Sequence, residues 1–291
     1  MRPLPRAMPA LITPFTRSER LDLQAHTHNV ARMWDLGMQG ILVAGSTGEG
    51  PYLEPGERHS LVATARRAAP RAFVLCGIHA ETVRAAADAM AEADAGEADA
   101  VLLATPTTLV RHRPDLIEQF FAHLVERAPL PVLLYSVPSV TGLELGAESV
   151  LALAGHQAVV GMKDSGGDPA RAERLVAETG DGFALYAGAT AAVSLSIEAG
   201  AHGAITASAN YAPRLLRGTV TAARRSAKSA APLQSTLGTV AAAIERHGIA
   251  AVKYAARRVG FAPGASRRPL LPVSPQVQRA VRKALKTAEL A

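Results

Sequence analysis

The 291-residue sequence has a single cysteine, Cys76, which excludes an internal disulfide and a thiolate metal cluster. It follows the apolar run Ala72-Phe73-Val74-Leu75, a setting that suits a buried structural thiol better than a nucleophile. No apolar run approaches the ~20 residues of a membrane-spanning helix. The start, Met1-Arg2-Pro3-Leu4-Pro5-Arg6, has neither a signal-peptide core nor a transit pattern. A soluble, cytoplasmic protein with no membrane partner is therefore expected. Aromatic residues make up only 4 % of the chain while Ala is abundant, which favours many short helices packed through small side chains.

Lysine is the scarcity that says most. The only lysines are Lys163, Lys228, Lys253, Lys283 and Lys286. The formal charge of +6 therefore rests mainly on arginine. The arginines are scattered as singles and pairs such as Arg66-Arg67 and Arg224-Arg225, without aromatic interleaving. That pattern argues for solubility and a positive field rather than a nucleic-acid partner.

What is present is a regular alternation. Short apolar runs without polar alternation read as parallel strands covered on both faces. They begin at Ala10, Gly40, Ala72, Ala100, Pro131, Ala158, Phe183 and Gly203. Between them lie stretches with apolar residues three and four apart, several opening on Pro, as at Pro55, Pro114, Pro169 and Pro213. Eight strand–helix units in about 225 residues predict an α/β TIM (β/α)8 barrel. No Gly-rich fingerprint follows the first strand, as a dinucleotide-binding sheet would require. After residue 225 the strands stop. Residues 226–291 read as a C-terminal three-helix extension, with the barrel and its active site in 1–225.

Active sites of such barrels lie at the C-terminal ends of the strands. Lys163 ends the sixth run, and it is the only lysine before residue 226. An arginine stays protonated and cannot add to a ketone, whereas an amine freed of its proton by burial can. The alternative is a structural lysine, paired for instance with Asp164. Tyr135 ends the fifth run, where a phenol could pass protons to and from a carbinolamine or aldol oxygen, or simply fill the core. Gly45-Ser46-Thr47-Gly48 offers hydroxyls and backbone N–H groups as a carboxylate cradle, with Glu49 placed to orient the loop. The nine histidines are dispersed, and His26 and His28 do not share a helix face, so no metal is assigned.

Three segments taken together resemble the dihydrodipicolinate synthase / N-acetylneuraminate lyase family of class I Schiff-base aldolases. They are Gly45-Ser46-Thr47-Gly48-Glu49, Tyr135-Ser136-Val137-Pro138-Ser139-Val140-Thr141-Gly142 and Gly161-Met162-Lys163-Asp164-Ser165-Gly166-Gly167-Asp168. The resemblance covers nearly the whole chain. It implies a Schiff-base role for Lys163, a catalytic one for Tyr135, and binding of the oxo-acid carboxylate by Ser46 and Thr47. It also implies that Ile205 and Gly188 line the pyruvyl pocket, that no cofactor or metal is needed, and that the chain forms a homo-oligomer, dimer or tetramer, usually the latter.

Two positions depart from the family pattern. Val140 stands where dihydrodipicolinate synthases carry the arginine that grips the second substrate's carboxylate. Thr107-Thr108 replaces a tyrosine pair whose second member serves the proton relay, leaving Thr108 to hold a water in its place. Within the family the fifth- and sixth-strand segments are most similar to 4-hydroxy-2-oxoglutarate aldolase, which would release pyruvate and glyoxylate. The alternatives are a 4-hydroxy-tetrahydrodipicolinate synthase, a sugar-acid lyase or dehydratase, and a non-catalytic paralogue that binds oxo acids.

Overall fold

The computed structural model describes residues 2–290. Eight strands alternate with helices: β1 (Ala7–Pro9), β2 (Gly40–Val43), β3 (Phe73–Ile78), β4 (Ala100–Ala104), β5 (Val132–Ser136), β6 (Val159–Asp164), β7 (Ala184–Ala187) and β8 (Gly203–Thr206). The helices between them are α1 (Leu23–Asp35), α2 (Glu57–Ala68), α3 (Val83–Ala95), α4 (Pro114–Val125), the short α5 (Pro138–Thr141), α6 (Ala147–Ala154), α7 (Pro169–Thr179) and α8 (Val193–Glu198). After β8 come α9 (Pro213–Ala223), α10 (Ala227–Glu245), α11 (Ile249–Arg258) and α12 (Pro275–Thr287).

Every strand pair is parallel, in the order β1-β8-β7-β6-β5-β4-β3-β2. The remaining seam is drawn together where Ala10 bridges Leu42 and Leu11 N donates to the Leu42 carbonyl at 2.9 Å. The sheet thus curls into a TIM barrel. Its strands are almost wholly buried because helices cover the outer face and side chains fill the inner one. Met8, Leu42, Leu75, Leu102, Leu133, Tyr186 and Ile205 belong to the inner cluster; a larger cluster lies between sheet and helices.

The first strand lies earlier than the apolar run suggests. β1 is Ala7–Pro9, and the run from Ala10 continues beyond the ladder as buried chain. Ile12 N is satisfied by the Asn210 side chain at 3.0 Å, a contact 198 residues away. Burial without regular pairing looks the same in a sequence as a strand does. Short α5, opened by Pro138 and closed by Gly142 at φ 66°, was not expected.

A buried ion network joins the C-terminal helices to the loop after β2. Glu49 adopts φ 57°, unusual for a residue with a side chain, and Ala44 just upstream adopts 55°. Glu49 is held there by Lys253 of α11, with which it forms an ion pair, and by Arg267 N, which donates to Oε2 at 2.8 Å. Both side chains of the pair are nearly inaccessible, Lys253 at 4 % and Glu49 at 0 %. Arg267 in turn makes a two-pronged bond to Glu57 at 2.6 and 2.8 Å and lies over the Phe15 ring. A Lys253→Met variant would leave the buried Glu49 carboxyl without its ion-pair partner. It should lose about 3–5 kcal/mol of stability, read as a lower urea midpoint; a loss below about 1 kcal/mol would show the pair to be dispensable.

Candidate active site

The strand ends bring together the residues singled out from the sequence. Tyr135 and Lys163 occupy paired positions on β5 and β6, so their side chains leave the sheet on the same face. Lys163 Nζ lies 3.3 Å from the Tyr135 hydroxyl and 4.4 Å from its ring centre. Ser46 Oγ lies 3.4 Å from that same hydroxyl. Asp164, the next residue along the strand, points away and pairs with Arg171 at 2.6 Å. The structural reading of Lys163 as Asp164's partner is thereby removed.

Lys163 and Tyr135 are both buried, at 4 % and 3 % exposure, at the floor of a cavity of about 430 Å³. Ser46, Thr47, Ser165, Gly188 and Glu245 stand in its wall with Val137 and Val140. Burial by itself pushes the Tyr135 phenol up. The positive charge of Lys163 and hydrogen bonds from Ser46 and Lys163 outweigh it, and the net direction is down. A phenol so placed is a better proton carrier near neutral pH than an ordinary tyrosine. His79 packs edge-on to Tyr135, ring centres 6.3 Å apart. Its imidazole is pushed down to about 3 by burial, with the charges of Arg58 and Lys163 acting in the same direction, so it stays neutral.

Gly188 needs to be glycine for a local reason. A Cβ there would lie 2.1 Å from Ser165 Oγ and 3.0 Å from Lys163 Cε, and would push the lysine out of line. Ile205 is fully buried in the inner cluster that includes Tyr135, while Ala207, two residues on, reaches the cavity wall. Thr108 lies outside this cavity. Its loop is fastened by Thr107 N and Thr108 N donating to Glu81 at 3.0 and 2.8 Å, and its side chain faces a separate depression with Arg111 and His112.

The matching family model is the dihydrodipicolinate synthetase family, over residues 3–288. The chain belongs to that family. As a member it is a lyase of the class I aldolase type. A 4-hydroxy-tetrahydrodipicolinate synthase of Thiobacillus denitrificans is 32 % identical over 97 % of this chain and 96 % of its own length. Another, of Laribacter hongkongensis, is 33 % identical over 97 % of both chains. Among solved structures, a dihydrodipicolinate synthase of Acinetobacter baumannii complexed with pyruvate superposes with a TM-score of 0.94 at 26 % identity, covering 99 % of this chain and 100 % of the other. Other dihydrodipicolinate synthetase family structures share the fold at similar identity, among them a monomeric variant with a TM-score of 0.91 at 25 %.

Within this cavity, two groups escaped the sequence reading. Glu245, the last residue of α10, reaches the cavity from outside the barrel. Thr190, after β7, donates to it at 3.0 Å. Neither stands in a recognisable motif; only the packing of α10 across the barrel mouth brings them in. Gln234 fixes that packing by donating to the carbonyls of Thr190 and Ala191 at 3.0 and 3.1 Å.

Among the described residues, no helix is long and apolar enough to cross a membrane. Cys76 is buried, and desolvation pushes its thiol up to about 12, which leaves it inert as a nucleophile.

Proposed function

We propose that the protein is a retro-aldol lyase that binds a pyruvate-derived 2-oxo acid as a Schiff base on Lys163 and releases pyruvate. The observation that carries this reading is the buried Lys163 amine, 3.3 Å from the Tyr135 hydroxyl and in one cavity with Ser46 and Thr47. Ser46 and Thr47 are the binders of the substrate's carboxylate. The amine adds to the C2 ketone, and loss of water gives a protonated imine. As water leaves the carbinolamine it takes the Tyr135 proton; the imine then accepts the electron pair of the C3–C4 bond as it breaks, while the C4 hydroxyl proton passes to the Tyr135 phenolate. The enamine takes a proton at C3, and hydrolysis frees pyruvate and the lysine. Ile205 shapes the interior beneath the pyruvyl group, Gly188 leaves room for it, and Thr108 remains a candidate for holding water at the mouth of the site.

The first substrate to test is 4-hydroxy-2-oxoglutarate, whose second half carries a carboxylate. Val140 supplies no clamp for it. Arg111 reaches the adjoining turn, donating to the Thr141 carbonyl at 3.1 Å, from the separate depression that it shares with Thr108. The names of the relatives favour a second reading, condensation to 4-hydroxy-tetrahydrodipicolinate. A cytoplasmic homo-oligomer is expected in either case. Leu109, 91 % exposed on the loop beside Arg111, is an apolar side chain that a second copy would cover.

Borohydride reduction in the presence of pyruvate, followed by peptide mass mapping, tests the covalent step. A pyruvyl adduct on Lys163 is expected, and its absence would sink the mechanism. Glyoxylate release from 4-hydroxy-2-oxoglutarate then tests the substrate. Condensation of pyruvate with aspartate semialdehyde would install the second reading, and an adduct with no turnover across a panel of 2-oxo acids would leave only a binding protein.

A further inference from the structure

The Schiff-base cycle has two proton-transfer tasks after the imine forms: taking the C4 hydroxyl proton, and delivering one to C3 of the enamine. Tyr135 is placed for the first. We propose that Glu245 performs the second, as the acid that protonates C3 and the base that removes that proton in reverse. This rests on the Lys163 Schiff base proposed above.

The geometry of the cavity supplies the argument. In an eight-stranded barrel β2 and β6 face each other, so a pyruvyl group bound through C2 to Lys163 with its carboxylate at Ser46 and Thr47 spans the cavity. The Tyr135 hydroxyl, within 3.4 Å of both Ser46 and Lys163, occupies the flank between them. Gly188, Ala189, Thr190 and Glu245 also line this cavity, and with Tyr135 on one flank a pyruvyl group held this way would turn C3 toward them.

Glu245 is built to hold and release a proton there. Its Oε1 accepts from the Tyr211 hydroxyl at 2.8 Å and from Thr190 Oγ1 at 3.0 Å. Thr190 Oγ1 also lies 3.2 Å from Ser208 Oγ, which is 2.7 Å from Thr206 Oγ1, so the carboxyl ends a chain of buried hydroxyls. These donors fix one oxygen and steady the carboxylate after it has given its proton. Oε2 has only a long 3.4 Å approach from Thr190. Burial raises the carboxyl above its usual range, and the hydrogen bonds from Tyr211 and Thr190 and the charge of Lys163 only partly offset this. Tyr211 itself is pushed well up by burial and by Glu245, so it stays a donor.

In the forward direction the Glu245 O–H bond breaks and a C3–H bond forms from the enamine electron pair. The nitrogen becomes an iminium, and the water that adds to it at C2 gives its proton to the carboxylate. In reverse, the carboxylate takes a C3 proton from the pyruvyl iminium. That reverse step is measurable with pyruvate alone, as exchange of its methyl protons with D2O followed by proton NMR.

Wild-type exchange should rise with pH as Glu245 ionises through its raised range, because the carboxylate is the active base. E245Q should slow it by about a hundredfold or more and abolish that rise. Borohydride should still trap pyruvate on Lys163 in E245Q, since the amide can accept the same two hydrogen bonds. Wild-type exchange in E245Q with trapping intact would overturn the proposal, as would exchange that Tyr135→Phe abolishes and E245Q leaves alone. If E245Q traps nothing, E245D decides: a carboxyl-dependent rise of exchange with pH supports the assignment, and a flat profile overturns it. Failure of the wild type to trap pyruvate is a separate result, which brings down the Schiff base and this step together.

Discussion

Lys163→Arg is expected to leave no borohydride-trapped adduct and no lyase turnover above background. The substitution keeps the positive charge beside Tyr135, so a purely electrostatic role for Lys163 would survive it. A guanidinium stays protonated and has no lone pair to give the ketone, so covalent catalysis would not. The longer, planar head must also fit where Lys163 is already packed to 4 % exposure. Lys163→Ala removes that steric concern and should give the same two losses. Turnover in either variant at more than a few per cent of wild type would end the Schiff-base account.

Tyr135→Phe should lower kcat by about 10²–10⁴-fold, the usual worth of a positioned proton carrier, or roughly 3–5 kcal/mol of barrier. The ring is buried among the inner-barrel side chains and should keep its place, so only the hydroxyl is lost. With it go the link between Ser46 and Lys163 and the phenol whose acidity the lysine enhances. Adduct formation with pyruvate should persist on long incubation, because the amine is retained. A kcat within tenfold of wild type would mean that another group takes the C4 proton.

Much of this was legible in the sequence because its signals are local. The alternation of apolar runs with amphipathic stretches reports the barrel, and α4, α7 and α9 begin at Pro114, Pro169 and Pro213, where the pattern places them. Lys163 stands out since arginine carries nearly all other positive charge before residue 226, and Tyr135 and Ser46 lie in motifs at neighbouring strand ends. The hidden features depend on contacts far apart in the chain. β1 was misplaced because Ala10–Ile12 is buried by partners at Leu42 and Asn210 rather than by a ladder of its own. Glu245 sits at the end of a helix whose apolar pattern says only that one face is covered. That the cover is the barrel mouth follows from bonds such as Gln234 to Thr190. Thr108 was placed by motif alone, and the fastening of its loop to Glu81 has no sequence signature.

The pairing of Glu49 with Lys253 and Arg267 sets an order of events at the ribosome. The turn that carries Ser46 and Thr47 is complete within the fifth decade of residues, yet the groups that hold it, Lys253 and Arg267, are synthesised more than 200 residues later. At translation speeds of about 5–20 residues per second, that is an interval on the order of ten seconds or more. Throughout it the nascent barrel carries an unclamped Ser46–Thr47 turn and a Glu49 without its cation. A chain terminated early would therefore lack not a peripheral appendage but the clasp of the turn on which Ser46 and Thr47 sit.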